Sequence, residues 1–249
     1  MLHRVVTWLS LAALAVPACA TNGGRSAVRA PSWARDETRA GTSSPAGPAP
    51  PVENLKAHDS RTLPGGLACL IQLQELGISH RNLRSLRGVD TPVRVTGLVG
   101  GIRYKPMGRR SLIADCRLVL ALHRAAPYLR NLGVSEVHFS GAYSYRRMPS
   151  GRLSRHAMGL AIDVHRVVVG DRLLKVSEDY ELGLEEDGCR SDAPPLNRMA
   201  CLLQDWGLFD RVLTPDFDRA HFNHFHLAIL SLHRRRHVPR DSPPRALVD

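Results

Sequence analysis

Lysine and aromatic residues are scarce in this 249-residue chain. Only Lys56, Lys105 and Lys175 are lysines, and Phe, Trp and Tyr together make up 5% of the residues. The formal net charge is nevertheless +11, because arginine supplies the other cations. A basic surface can attract nucleic acid, but no recognised nucleic-acid-binding signature accompanies the charge. We therefore expect no nucleic-acid partner.

The sequence also lacks the run of about 20 apolar residues that a membrane-spanning helix needs. Residues 1–19 instead have a basic start, a shorter apolar run from Val5 to Val16 and small residues at the end. This pattern predicts a secretory signal peptide. "VPAC" resembles a bacterial lipobox, which would make Cys19 a lipidated anchor in a membrane, whereas "ACA" fits an ordinary cleavage site. We expect export to the periplasm or cell envelope.

No two cysteines have C-x-x-C spacing, which argues against a zinc site made of cysteines. If Cys19 is lipidated or removed, four cysteines remain, and an even number in an oxidising compartment predicts disulfides. Three pairings are open. The most local one joins Cys69 to Cys116 and Cys189 to Cys201.

Composition divides the chain into a tether, one domain and a tail. Residues 20–63 are rich in Gly, Ser, Pro and Ala without apolar periodicity, which predicts a disordered, flexible tether. Residues 64–232 contain no internal repeat and no second linker, and we interpret them as a single domain. Residues 233–249 form a basic tail.

Hydrophobic periodicity within the domain predicts both helices and strands. The predicted helices span 66–77, 111–133 and 194–208. The predicted strands comprise a hairpin over 91–106, strands over 134–144 and 159–169, a return strand over 171–177, and strands around 210–214 and 224–230. This mixture favours an α+β fold with a central antiparallel sheet flanked by helices.

The stretch "SRHAMGLAIDVH" carries the first candidate metal ligands. His156 precedes Asp163 by seven residues, and the two side chains can converge if Gly159 turns the chain between them. Catalytic zinc sites use three protein ligands from His nitrogen and carboxylate oxygen and leave a position for water. His165 follows Asp163 on the same face of a strand and could replace one of these ligands.

The stretch "HFNHFHL" offers the third ligand. On a strand, His224 and His226 point to one face, while Phe225 points into the opposite layer. One histidine can bind the metal while the other stands beside a bound water. The alternative to a metal site is a strand with ordinary buried histidines.

These two stretches together resemble a known family. "SRHAMGLAID" matches the Ser-x-His-x-x-Gly-x-Ala-x-Asp motif of zinc D-Ala-D-Ala peptidases and murein endopeptidases, and "HFNHFH" matches their closing His-x-His segment. Over about residues 66–230 the chain is more similar to bacterial extensin-like C-terminal domain proteins, a resemblance that implies the same peptidase fold. The resemblance implies a zinc peptidase-like domain that acts on peptidoglycan peptides.

The resemblance also implies roles for individual residues. His156, Asp163 and His226 match the zinc ligands. Arg146 matches an arginine that polarises the scissile carbonyl or its oxyanion. Ser154 matches the motif serine, which orients substrate. His221 and His224 match the paired histidines of the murein endopeptidase type, among which the group that transfers the proton is expected.

One departure from the family concerns the catalytic base. Many relatives carry Glu or Asp three residues before the last zinc histidine, whereas this chain has Asn223. Because an amide cannot take a proton from water, we expect His224 to transfer the proton and Asn223 at most to position substrate or water. A non-catalytic zinc-containing module that binds the cell wall is the alternative interpretation.

Overall fold

The computed structural model describes residues 59–109 and 111–231. The predicted signal peptide, Cys19, most of the predicted tether and the basic tail lie outside these residues. Within them, Leu63 at the end of the predicted tether is already buried in the core. No helix in this part of the chain is long and apolar enough to cross a membrane.

The described residues form four helices and two sheets, so the predicted α+β class is confirmed. The helices are α1 (Gly66–Glu75), α2 (Cys116–Asn131), α3 (Val176–Asp179) and α4 (Pro195–Asp205). The strands are β1 (His80–Asn82), β2 (Pro92–Val95), β3 (Arg103–Pro106), β4 (Ile113–Asp115), β5 (Val134–Gly141), β6 (Ala161–Val169), β7 (Arg172–Lys175), β8 (Arg211–Leu213) and β9 (Phe225–Ala228).

The larger sheet has the strand order β3-β5-β6-β9-β8, with β7 paired to β6. All its pairs are antiparallel except β3 with β5. Along β6, residues 161–164 pair with β9 and residues 166–169 pair with β7. The first half of β6 is therefore the part that faces β9, and it is also the part that carries Asp163.

The predicted hairpin over 91–106 is wrong. Its two halves lie in different sheets: β2 pairs with β1 and β4, whereas β3 runs parallel to β5. Between them the chain turns at Gly100, where a Cβ atom would lie 2.3 Å from the Cβ of Ala126 in α2. The alternating pattern identifies both strands, but contacts with distant parts of the chain select their partners.

Helix α2 begins five residues later than the sequence predicts. Asp115, not Ser111, is its N-cap, because the Asp115 carboxylate accepts a hydrogen bond from the Arg117 amide at 3.0 Å. The other carboxylate oxygen accepts the amide of Thr91 at 3.0 Å, which ties the helix start to β2. Asp115 is buried, and burial raises the pKa of its carboxyl group, although the hydrogen bonds from Thr91 and Arg117 offset part of that effect.

Two disulfides fasten helices to their surroundings. Cys69 in α1 bonds to Cys116 at the start of α2, and Cys189 bonds to Cys201 in α4. The most local of the three open pairings is therefore confirmed. Disulfides persist in oxidising compartments, so this pair of bridges indicates an extracellular or otherwise oxidising location.

Candidate metal centre

His156 lies on a short 3-10 turn whose conformation depends on a serine and a glycine. The Ser154 hydroxyl accepts a hydrogen bond from the Ala157 amide at 3.1 Å and so fixes the start of the turn. Gly159 ends it with φ of 66°, a left-handed conformation that strains other residues. A Cβ atom there would lie 2.6 Å from the amide nitrogen of Asp115. Gly159 therefore both turns the chain and allows the turn to sit against the start of α2.

Asp163 and His226 meet because their strands pair. The antiparallel register of β6 and β9 places these two residues directly opposite each other, so their side chains share one face of the sheet. Phe225, the neighbour of His226, points to the other face and is fully buried. The predicted alternation of this strand is thus confirmed.

Three ligand-type atoms converge at this point. His156 Nε2 lies 3.1 Å from Asp163 Oδ1 and 3.1 Å from His226 Nδ1, and His226 Nδ1 lies 2.9 Å from Asp163 Oδ1. We call His156, Asp163 and His226 the metal triad. A His/His/Asp group of this kind is a candidate metal site.

The geometry of the triad fits a small cation. In a tetrahedral zinc site with bonds of about 2.0–2.2 Å, the ligand atoms are separated by about 3.4 Å, which is close to the distances in the triad. Three atoms in a nearly equilateral triangle cannot all be joined by linear hydrogen bonds, because an N–H aimed at one corner misses the next. A central cation satisfies all three.

The electrostatic environment favours the ionised form of Asp163. Burial alone would raise the pKa of its carboxyl group, but hydrogen bonds from His156 and His226 outweigh burial and hold the pKa well below its usual range. The carboxylate is therefore charged at neutral pH, which is the state that binds a cation.

His224 stands beside the triad. Its Nε2 lies 3.6 Å from Asp163 Oδ1, and its Nδ1 lies 2.9 Å from the side-chain oxygen of Asn223. Burial lowers the pKa of His224 to about 4, so the ring is neutral at pH 7. His165 stacks on this ring at 5.1 Å and bonds Ser140 Oγ at 2.9 Å. His165 is thus a neighbour of His224 and is not one of the three converging ligands.

His221 is a second neighbour of His224, with ring centroids 5.1 Å apart. Its Nδ1 is 2.6 Å from Asp218 Oδ1, and this hydrogen bond lowers the pKa of the Asp218 carboxyl group. Asp218 is not among the site residues predicted from the sequence. The available signal was the Asp-x-x-His spacing, which places both side chains on one turn.

Two predicted substrate contacts lie on the segment before the triad. Arg146 has an exposed side chain, and its backbone carbonyl accepts the amide of Ser154 at 3.1 Å. Ser154 itself is buried, and its hydroxyl serves the turn of His156. In the described chain the Arg146 guanidinium makes no hydrogen bond or ion pair, which leaves it available to a ligand.

A second group with metal-ligand chemistry contains Cys189, Cys201 and Asp205. The two sulfur atoms are bonded to each other, so they do not provide the thiolates that a metal requires. The metal triad is the stronger candidate.

Comparison with known proteins identifies the family of this chain. No solved structure matches it significantly. The family described as extensin-like protein C-terminus matches residues 68–238, which is well over half of the 249 residues. That stretch includes the metal triad and both disulfides. The chain therefore belongs to the extensin-like C-terminal domain family.

Proposed function

We propose that this protein is an exported, zinc-dependent peptidase that hydrolyses the peptide cross-links of peptidoglycan. The observation that carries the proposal is the convergence of His156 Nε2, Asp163 Oδ1 and His226 Nδ1 within 3.1 Å of one another. The likeness of both motifs to zinc D-Ala-D-Ala peptidases supports the choice of metal and reaction.

The metal triad would hold zinc through two neutral imidazoles and one carboxylate, a set that such sites use. When bound, zinc supplies Lewis-acid activation, which lowers the pKa of a water molecule towards about 7 and polarises a carbonyl group. The chain's own residues would do the rest. His221 and His224, whose rings lie side by side, would move the proton, and the exposed Arg146 would supply a cation for the carbonyl oxygen as charge develops on it.

The charge distribution supports an anionic substrate. Residues 59–155, which include the loops leading to His156, contain sixteen Arg and Lys against five Asp and Glu. Residues 156–231 contain seven against thirteen. Peptidoglycan stem peptides carry free carboxylates, which the excess of cations in residues 59–155 would attract.

The N-terminal pattern and the two disulfides support an exported location for this protein. Export by the predicted signal peptide would deliver the domain to a compartment where Cys69–Cys116 and Cys189–Cys201 form. Lipidation of Cys19 would add a membrane anchor, from which the predicted tether that precedes the described residues would let the domain reach the wall.

A second candidate function is favoured by Asn223. A neutral amide stands where many relatives carry a carboxylate, so the chain could retain a zinc-containing fold that binds the wall without cutting it. The two functions differ in products: a peptidase generates new amine and carboxyl ends, whereas a binding module leaves the cross-link intact.

The test is incubation of the purified, zinc-loaded protein with cross-linked muropeptides, followed by mass spectrometry of the products. We expect cleavage, and we expect His226→Ala to lose both zinc and cleavage. His80→Ala is the matched control, because this histidine bonds the Ile78 carbonyl at 2.7 Å and lies outside the metal triad. Wall binding without cleavage, unchanged in His224→Ala, would refute the peptidase and favour the binding module.

A further inference from the structure

We propose that Asp218 is the positioning residue for proton transfer and that it makes His221 the proton carrier. This inference rests on the proposed peptidase function. It is supported by hydrogen bonds that do not involve the metal triad. The Asp218 carboxylate makes them to the turn on which His221 lies.

Asp218 is fixed by its own turn. One oxygen, Oδ1, accepts the amides of Ala220 at 2.8 Å and His221 at 3.1 Å, and lies 2.6 Å from His221 Nδ1. Because the carboxylate can only accept hydrogen bonds, the hydrogen between these two groups belongs to His221 Nδ1. The other ring nitrogen, Nε2, therefore keeps its lone pair and can receive a proton.

The imidazole of His221 lies next to the candidate metal site. Its ring centroid is 5.9 Å from that of His226 and 5.1 Å from that of His224. Phe217 forms an edge-to-face contact with it, with ring centroids 5.8 Å apart. The side chain is 16% exposed, so it is held by neighbours while still reached by water.

His224 has weaker support for the same task. Its Nδ1 faces the amide oxygen of Asn223, a neutral acceptor, and its Nε2 lies 3.6 Å from Asp163, which belongs to the metal triad. A carboxylate stabilises the imidazolium that forms during proton transfer better than an amide does, because the hydrogen bond becomes charge-assisted. Asp218 thus supplies from a neighbouring turn the negative charge that Asn223 lacks.

His221 would carry one proton from the attacking water to the leaving amine. As a water oxygen bonds to the scissile carbonyl carbon, one water proton moves to Nε2 of His221. The same proton then passes to the amide nitrogen as the carbon–nitrogen bond breaks, leaving a carboxyl group and an amine. Asp218 keeps its charge throughout and holds the ring in one tautomer.

The experiment separates positioning from turn capping. Asp218→Ser keeps an N-cap residue but is too short to hold His221, whereas Asp218→Asn keeps the shape and removes the charge. Asp192→Asn is the matched control, since Asp192 is an exposed carboxylate paired to Arg190. Each zinc-loaded protein is assayed for kcat and KM on muropeptides, and the His221 tautomer is read from two-bond ¹H–¹⁵N NMR spectra.

We expect wild type to show the Nδ1–H tautomer, and Asp218→Ser to shift it towards Nε2–H with kcat about 10–100-fold lower and KM unchanged. Asp218→Asn should also lose kcat, and Asp192→Asn should lose nothing. An unshifted tautomer or an unchanged kcat in both Asp218 variants would overturn the inference. If wild type cleaves no muropeptide, the peptidase proposal fails, and the tautomer alone decides whether Asp218 positions His221.

Discussion

Replacing Gly159 by alanine tests how closely the His156 turn sits against the start of α2. Two penalties apply. The left-handed backbone at φ of 66° costs a residue with a side chain roughly 1–2 kcal/mol. The added Cβ would also lie 2.6 Å from the Asp115 nitrogen and 3.1 Å from the Ala114 carbonyl carbon, both backbone atoms that cannot rotate away. Such overpacking adds about 1–3 kcal/mol, so we expect a total loss of about 2–5 kcal/mol.

Gly77→Ala is the control for backbone strain. Gly77 has the same φ of 66°, but a Cβ there meets nothing within 4 Å. Urea unfolding of both variants with disulfides intact gives the two losses of free energy. Zinc affinity, measured by chelator competition, should fall only in Gly159→Ala, because only that change displaces His156. Equal losses of stability in the two variants, with zinc affinity unchanged in both, would refute the close packing of Gly159 against the Asp115 backbone.

Further predictions concern Asp163 and the disulfides. The folded pKa of Asp163 lies below its unfolded value, so its contribution to stability is present above about pH 4 and is lost as pH falls through the folded pKa. In the metal-free protein, Asp163→Asn should therefore flatten the decline of the urea midpoint between about pH 5 and pH 2; a slope equal to that of wild type would contradict this. Replacing Cys69 and Cys116 by alanine opens a 47-residue loop and should cost about 4 kcal/mol of unfolding free energy. The same change at Cys189 and Cys201 opens a 12-residue loop and should cost about 3 kcal/mol. If urea unfolding showed the larger loss at Cys189 and Cys201, the entropy of the unfolded chain would not be what decides how much each bridge stabilises the fold.

The parts of the site that could be predicted from the sequence are the local ones. His156 and Asp163 are seven positions apart with a glycine between them, so the turn and the start of one strand set their relative positions. The alternation of "HFHLAIL" likewise gives the buried side of Phe225. Both follow from short-range backbone preferences, which sequence patterns report directly.

Contacts between distant segments could not be predicted from spacing. The pairing of Asp163 with His226 spans 63 residues and is set by the register of β6 and β9. The resemblance to zinc peptidases suggested it, whereas periodicity could not. The same limit explains the wrong hairpin over 91–106. The strands β2 and β3 do not pair with each other, because β2 pairs with β4 and β3 pairs with β5.

The disulfide between Cys69 and Cys116 has a consequence for metal binding. Cys116 follows Asp115, whose amide donates to the Gly159 carbonyl at 2.9 Å, so the bridge anchors the backbone against which the His156 turn rests. Oxidation of the cysteines and occupation of the metal triad by a cation would thus stabilise one and the same arrangement. Thermodynamic linkage would make this reciprocal: the oxidised protein would bind a cation at the triad more tightly, and a bound cation would make the disulfide harder to reduce.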